Sequence, residues 1–203
     1  MITLNGNVLC AIDVETTGTK PGHHEITQVC FLPLDDNLEP HKKIMPFDIE
    51  LFIEHEDRID WEAFRVSKIN FFQHQQQAIN KDIAADLFEQ WIENLKLPPN
   101  KRISPLAHNW PFDRSFIIEW LQPTAFSTYI DGRFRDSMTL AIGINDIYDF
   151  ATEPTPFPKV NLAYLASQLK IPHNGAHNAL ADCITTAQVY KKLLKIRYLN
   201  ATL

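Results

Sequence analysis

The run Val8-Leu9-Cys10-Ala11-Ile12-Asp13-Val14 is almost continuously apolar, and two acids, Asp13 and Glu15, interrupt its end just before Thr16-Thr17-Gly18. A segment this short and this apolar suits a strand buried on both faces, which places it inside a sheet covered by helices. Residues two apart on a strand point to the same side, so the two carboxylates project together. Like charges about 4 Å apart repel by roughly 4 kcal/mol at an effective dielectric near ~20. Either a cation compensates them or the strand runs out into solvent there, and the pair alone does not choose.

Turn and periodicity signals order the rest of the chain. Glu25 to Leu34 reads as a second strand closed by Asp35-Asp36-Asn37, and a third lies between Leu38 and Ile53, giving an antiparallel meander. The stretch from Glu54 to Gln77 is mixed and polar, with a short helix near Trp61 to Ser67. Lys81 to Leu95 is a clearer helix whose Ile83, Leu87, Trp91 and Leu95 form one stripe. A strand over Arg102 to His108, a helix over Pro111 to Leu121 and a fifth strand over Gly132 to Asp136 follow. Helices over Ser137 to Ile147, Asn161 to Leu169 and Leu180 to Leu194 complete the order, the last with Leu180, Ile184, Ala187 and Leu194 facing inward. The expected fold is α/β: a mixed five-stranded sheet, meander plus parallel strands, flanked by helices in one domain spanning residues 1–203.

Composition limits the partners. The formal charge of −6 argues against gripping long duplex through its phosphates, so any nucleic acid must be held locally by a few cations, stacking surfaces or bound metal. The cysteines Cys10, Cys30 and Cys183 have no metal-type spacing and read as small core residues in a reducing compartment. No signal peptide and no membrane span is evident, so a soluble, cytoplasmic protein is expected.

Two further segments carry chemistry-bearing residues. In Ala107-His108-Asn109-Trp110-Pro111-Phe112-Asp113, Trp110 should be extended ahead of proline and Pro111 should open a helix. Asp113 then lies in the first turn, where the helix dipole favours an anion. In Gly175-Ala176-His177-Asn178-Ala179-Leu180-Ala181-Asp182, the acid lies on the flank of a helix. His177 belongs to the turn just ahead of it, where a loop can carry an imidazole over a site floored by Asp182.

Together, Asp13-Val14-Glu15-Thr16-Thr17-Gly18, His108-Asn109-x-x-Phe112-Asp113 and His177-x-Ala179-x-x-Asp182 resemble the DnaQ-like family of 3′→5′ exonucleases, in its DEDDh subgroup. The resemblance runs from about residue 7 to 194, and Ile26 to Phe31 and Asp136-Ser137-x-x-Leu140-Ala141 agree less specifically. It implies an RNase H-like fold, with Asp13, Glu15, Asp113 and Asp182 holding two divalent cations, Mg²⁺ or Mn²⁺, and His177 as general base. It also implies hydrolysis of single-stranded DNA or RNA from the 3′ end to 5′-mononucleotides. Thr16, Thr17, Asn109 and Phe112 are candidate substrate contacts, and Trp110, Phe71 and Phe72 are further stacking candidates. Arg133 and Arg135 form one small basic group and Lys191, Lys192, Lys195 and Arg197 another.

Trp110-Pro111 departs from the small residues many members carry, and residues 41–77 match nothing specific. Two alternatives stay open: an oligoribonuclease-type enzyme for very short RNA, and a non-catalytic nucleic-acid-binding or polymerase-associated module. Oligomeric state, whether homodimer or polymerase partner, is not encoded in these patterns.

Overall fold

The computed structural model describes residues 3–4, 7–66, 69–175 and 177–196. In chain order the elements are β1 (Thr3–Leu4), β2 (Asn7–Thr16), β3 (Ile26–Pro33), β4 (Phe47–Glu50), α1 (Trp61–Val66), α2 (Phe71–Gln77) and α3 (Lys81–Asn94). Then come β5 (Ile103–Ala107), α4 (Trp110–Tyr129), β6 (Arg135–Asp136), α5 (Ser137–Phe150), α6 (Leu162–Gln168) and α7 (Ala179–Leu193). The sheet runs β4-β3-β2-β5-β6, antiparallel across β4, β3 and β2 and parallel from β2 to β5 to β6, with the short β1 pairing antiparallel to β2. The meander and the parallel strands of the sequence reading are thus present, with β1 an addition to them. None of the described helices is long and apolar enough to cross a membrane.

Strand β2 is central and buried on both faces, as its composition requires. Val8, Cys10, Ile12 and Val14 pack on the side of α3 and α4, whereas Leu9 and Ala11 pack with Ala179, Cys183 and Ala187 of α7. Alternation therefore turns Asp13 and Glu15 towards the α7 side. Pairing of β2 with β5 ends at Ala11 and Leu106, so beyond that point one edge of β2 is open. The acids lie on this open stretch.

Two helices bury rows offset from the expected stripes, of which Ala187 is buried and Trp91 and Leu95 pack partly on the core. On α3 the buried residues are Ala84, Phe88 and Ile92, while Ile83 is 55% and Leu87 is 39% exposed. On α7 they include Ala179, Cys183, Ala187, Val189 and Leu193, while Leu180 and Ile184 are half-buried and Leu194 is exposed. In both cases a small residue faces the sheet and lets the helix backbone approach it. Phe88 then sits among the rings of Phe31, Phe47, Trp91, Trp120 and Tyr129.

Three local departures also have causes. Trp110 is not extended but begins α4, because Asn109 takes a left-handed conformation (φ 73°) and the Trp110 N–H is bound by the Asp136 carboxylate at 2.5 Å. Helix α4 continues past Leu121 to Tyr129 across a break at Gln122 (φ 63°), the residue before Pro123. Helix α2, absent from the sequence reading, is capped by Asn70 and held by side chains. Gln75 takes both backbone groups of Ile53, at 2.9 Å each, and His74 contacts the Leu51 carbonyl at 2.9 Å.

The choice of buried row on α3 has a direct test. Phe88→Ala should cost about 3–5 kcal/mol, and Ile83→Ala about 0.5 kcal/mol or less, in equilibrium denaturant unfolding. The opposite ranking would mean that α3 is rotated relative to the sheet.

Candidate active site

The four acids come together at the carboxyl end of β2. Asp113, 3% exposed, stands one turn into α4 and reaches the open edge of β2, where its Oδ1 accepts the Val14 N–H at 3.0 Å. That bond uses a backbone donor left free where β5 stops pairing. Asp182 comes from α7 on the other side, and ligand atoms of Glu15, His177 and Asp182 all lie within 4.8 Å of one another. Asp13, half-buried between these groups, feels the charges of Asp113, Glu15 and Asp182.

The surroundings fix this convergence. Gln28, which pairs with Glu15 across β2 and β3, accepts the Ala179 N–H at 3.0 Å and the Asn178 side-chain N–H at 3.3 Å. Its own amide donates to Asp48 on β4 at 2.8 Å, so three segments meet on one side chain beside the site. Asn178 caps α7 through the Ala181 N–H. Asp136 caps α5 through Thr139 at 2.8 Å while holding the first turn of α4 through Trp110. A register shift at Glu15 and Thr16 redirects β2 as it leaves the sheet.

The loop after β2 is closely built. Thr17 is buried, its N–H donates to the Glu25 carbonyl, its hydroxyl accepts the Glu25 N–H, and its carbonyl accepts the Asp60 N–H, each at 2.9 Å. Its side chain is thus engaged inside the protein. The Thr16 hydroxyl donates to the Gly18 carbonyl at 2.7 Å. Gly18 lies close under His24: a Cβ there would come 2.5 Å from the imidazole, so a larger residue requires that ring to move.

The remaining candidates separate by exposure. Trp110 is 2% exposed and belongs to the core, which removes it as a stacking surface. Phe112 is half-buried and its ring lies 5.1 Å from that of Phe116. The Asn109 side chain makes no capping bond to α4. Trp61 is 41% and Phe72 78% exposed, and Phe71 joins them edge-on at 5.7 Å each, forming an aromatic surface on α1 and α2. Arg133 is paired with Asp131, Arg135 donates to Ser104, Lys191 pairs with Glu39, and Lys192 donates to the Leu169 carbonyl. Arg197 lies outside the described residues.

Three features escaped the sequence reading. Trp61 was placed on a helix but not recognised as part of a surface. His173 donates from Nε2 to Oδ1 of Asp182 at 2.7 Å, a contact foreshadowed only by its spacing four residues before His177. Glu25, Glu54 and His55 form a second group with ligand atoms within 4.8 Å of one another, but Lys81 already neutralises Glu54 at 2.7 Å.

Burial, and then the carboxylates of Asp113, Glu15 and Asp182, push the Asp13 carboxyl well above the usual carboxylate range. Burial likewise raises Asp113, against the lowering effect of the Val14 N–H. Glu15 is pushed up to about 7 by burial and by Asp182. Such a group cannot be fully ionised near neutrality without added positive charge. All-oxygen donors of this kind fit hard divalent cations such as Mg²⁺ or Mn²⁺.

This fold and site define a class: a mixed sheet with an acid cage at the ends of its central strands and an imidazole on a neighbouring loop. A family model described as RNase_T, exonuclease, matches residues 10–190, and the chain belongs to that exonuclease family. Among solved structures it is similar to E. coli exonuclease I in complex with a dT13 oligonucleotide, with a TM-score of 0.66 and 16% identity over 92% of this chain and 41% of that one. It is similar also to a 3′-exonuclease recognising a histone mRNA stem-loop (TM-score 0.64, 17% identity, 93% of this chain and 64% of that one). S. pombe Pop2p in its Mg²⁺- and Mn²⁺-bound form is a third (TM-score 0.65, 15% identity, 91% and 82%). The chain thus spans about two-fifths of the length of exonuclease I. No curated protein matches it.

The raised acids set a pH dependence. Between the ordinary glutamate value of 4.5 and about 7, the folded chain keeps the Glu15 proton that the unfolded chain loses. Stability contributed by that proton is complete below the lower value and is lost as pH rises through the upper one. In chelator, the thermal midpoint should therefore fall as the pH is raised from about 5 to about 8, and Mg²⁺ or Mn²⁺ should abolish the fall. A midpoint that climbs across this window in chelator would contradict the assignment.

Proposed function

We propose that this chain is a 3′→5′ exonuclease of the DEDDh subgroup that hydrolyses single-stranded DNA or RNA to 5′-mononucleotides. The observation that carries the reading is the convergence of Asp13, Glu15, Asp113 and Asp182 on one place, with Glu15 raised to about 7 by burial and by Asp182. These four residues would hold two divalent cations, which when bound supply Lewis-acid activation of water and of the scissile phosphate. His177 is the general base. It is exposed, in a turn with φ 69°, and its backbone N–H donates to Oδ2 of Asp182 at 3.3 Å, so the ring belongs to a loop anchored on the cage. From there an imidazole can take a proton from attacking water near neutral pH.

Substrate contacts follow from what is left free. The Asn109 amide, not used as a cap, would hydrogen-bond near the phosphate, and Phe112, one residue before Asp113, would offer a ring face. The Thr16 and Thr17 loop contributes backbone shape rather than the Thr17 hydroxyl, which is already engaged. The aromatic surface of Trp61, Phe71 and Phe72 stands next to this loop through the Asp60 to Thr17 bond, and suits stacking of unpaired bases. With a net charge of −6 the chain depends on such local contacts instead of a broad basic track.

Incubation with 5′-labelled DNA and RNA, with and without chelator, tests polarity, sugar preference and metal dependence together. The expected result is a ladder shortened from the 3′ end that disappears with chelator. Degradation from the 5′ end, or activity indifferent to chelator, refutes the proposal. His177→Ala should lower turnover by ~10²-fold or more with near-normal metal binding, and Asp13→Asn should lower both turnover and metal affinity. Wild-type rates in either variant would remove the roles assigned.

Trp61→Ala combined with Phe72→Ala should raise KM for single strands several-fold, each stacked base being worth about 1–3 kcal/mol, with kcat little changed. An unchanged KM would show that this surface does not meet the substrate.

A further inference from the structure

We infer that His173 is a positioning residue for the cage: it locks the plane of the Asp182 carboxylate and, through it, the loop that carries His177. The inference rests on the metal-cage reading of Asp182. The bond from His173 Nε2 to Asp182 Oδ1 is 2.7 Å, and the two side chains are 15% and 13% exposed. An ionised carboxylate only accepts, so the imidazole nitrogen carries the hydrogen. The other oxygen, Oδ2, accepts the His177 N–H at 3.3 Å. Both oxygens of one acid thus hold residues on either side of the same turn.

That turn needs holding. Gly175 (φ 83°) and His177 (φ 69°) are both left-handed, a conformation that costs a histidine backbone strain and that added contacts help to hold. Without His173 the carboxylate loses one of its two holds against rotation about the Cβ–Cγ bond, and the direction of Oδ2 towards the His177 backbone is no longer fixed from the other oxygen. A lysine or arginine would also donate, but its permanent charge would cancel the charge that a cation needs. An imidazole orients the acid and can do so uncharged.

The test uses the full chain and its His173→Ala and His173→Gln variants. Mn²⁺ binding is measured by titration without nucleic acid, alongside kcat and KM on a single-stranded oligonucleotide and the thermal midpoint in chelator. His173→Ala should weaken Mn²⁺ binding and lower kcat by about 10–100-fold, with KM within twofold. His173→Gln, whose amide can still donate, should recover a substantial part of both losses. Wild-type Mn²⁺ affinity in His173→Ala overturns the inference. So does an equal loss in both variants with a lowered midpoint, which would mark a merely structural residue, and so does a wild-type chain that binds no Mn²⁺. A wild-type chain that binds Mn²⁺ but degrades neither DNA nor RNA sinks the nuclease proposal alone, and the Mn²⁺ titrations still decide the role of His173.

Discussion

Four carboxylates facing one another in a half-buried hollow repel, and the fold has to hold them there against that repulsion. Burial and then neighbouring charge raise Asp13, Glu15 and Asp113 together, so each acid adds to the cost of ionising the others. The four acids therefore stand on three separately anchored elements: Asp13 and Glu15 at the end of β2, Asp113 in the first turn of α4 and Asp182 in the first turn of α7. The anchors carry no formal charge: the Val14 N–H donates to Asp113, and the Gln28 amide oxygen accepts the Ala179 N–H at the start of α7. A lysine or arginine in their place would neutralise the negative charge that the four acids bring together.

The parallel pairing of β2 with β5 has a second effect besides closing the sheet. Because it ends at Ala11 and Leu106, it leaves both a free backbone donor and the space into which α4 delivers Asp113. The helix start is in turn fixed from β6 by Asp136, whose carboxylate serves two helix termini at once. Strand order, helix entry and acid placement are thus one arrangement, and the family match over residues 10–190 covers all of it.

What could be read from the sequence follows from how local each signal is. Asp13 and Glu15 were legible because the strand period alone puts them on one side, and the meander because its strands are consecutive. The burial of Phe88 in place of Leu87, and of Cys183 in place of Leu180, was not, since the four-residue apolar spacing pointed to a neighbouring row and only the facing sheet selects the small residues Ala84 and Ala179, Ala187 alone being on the expected stripe. Helix α2 was invisible because its hold on the protein is polar, through Gln75 and His74 to the backbone of Ile53 and Leu51. Gln28 had no local signal either, as a strand glutamine becomes informative only when α7 lands on it. His173 had a faint one in its spacing from His177, but its bond to Asp182 requires a turn whose left-handed residues no periodicity reveals.

The row Ala179, Cys183, Ala187 lets α7 approach the sheet closely, with the Cys183 thiol 3.8 Å from the Cys30 carbonyl. Asp182 is the neighbour of that thiol in the chain, so the girth of residue 183 sets how far the carboxylate extends over β2. Wedged between helix and sheet, the buried thiol acts as a spacer, so the reach of one acid is gauged by a side chain that is not itself one of the four.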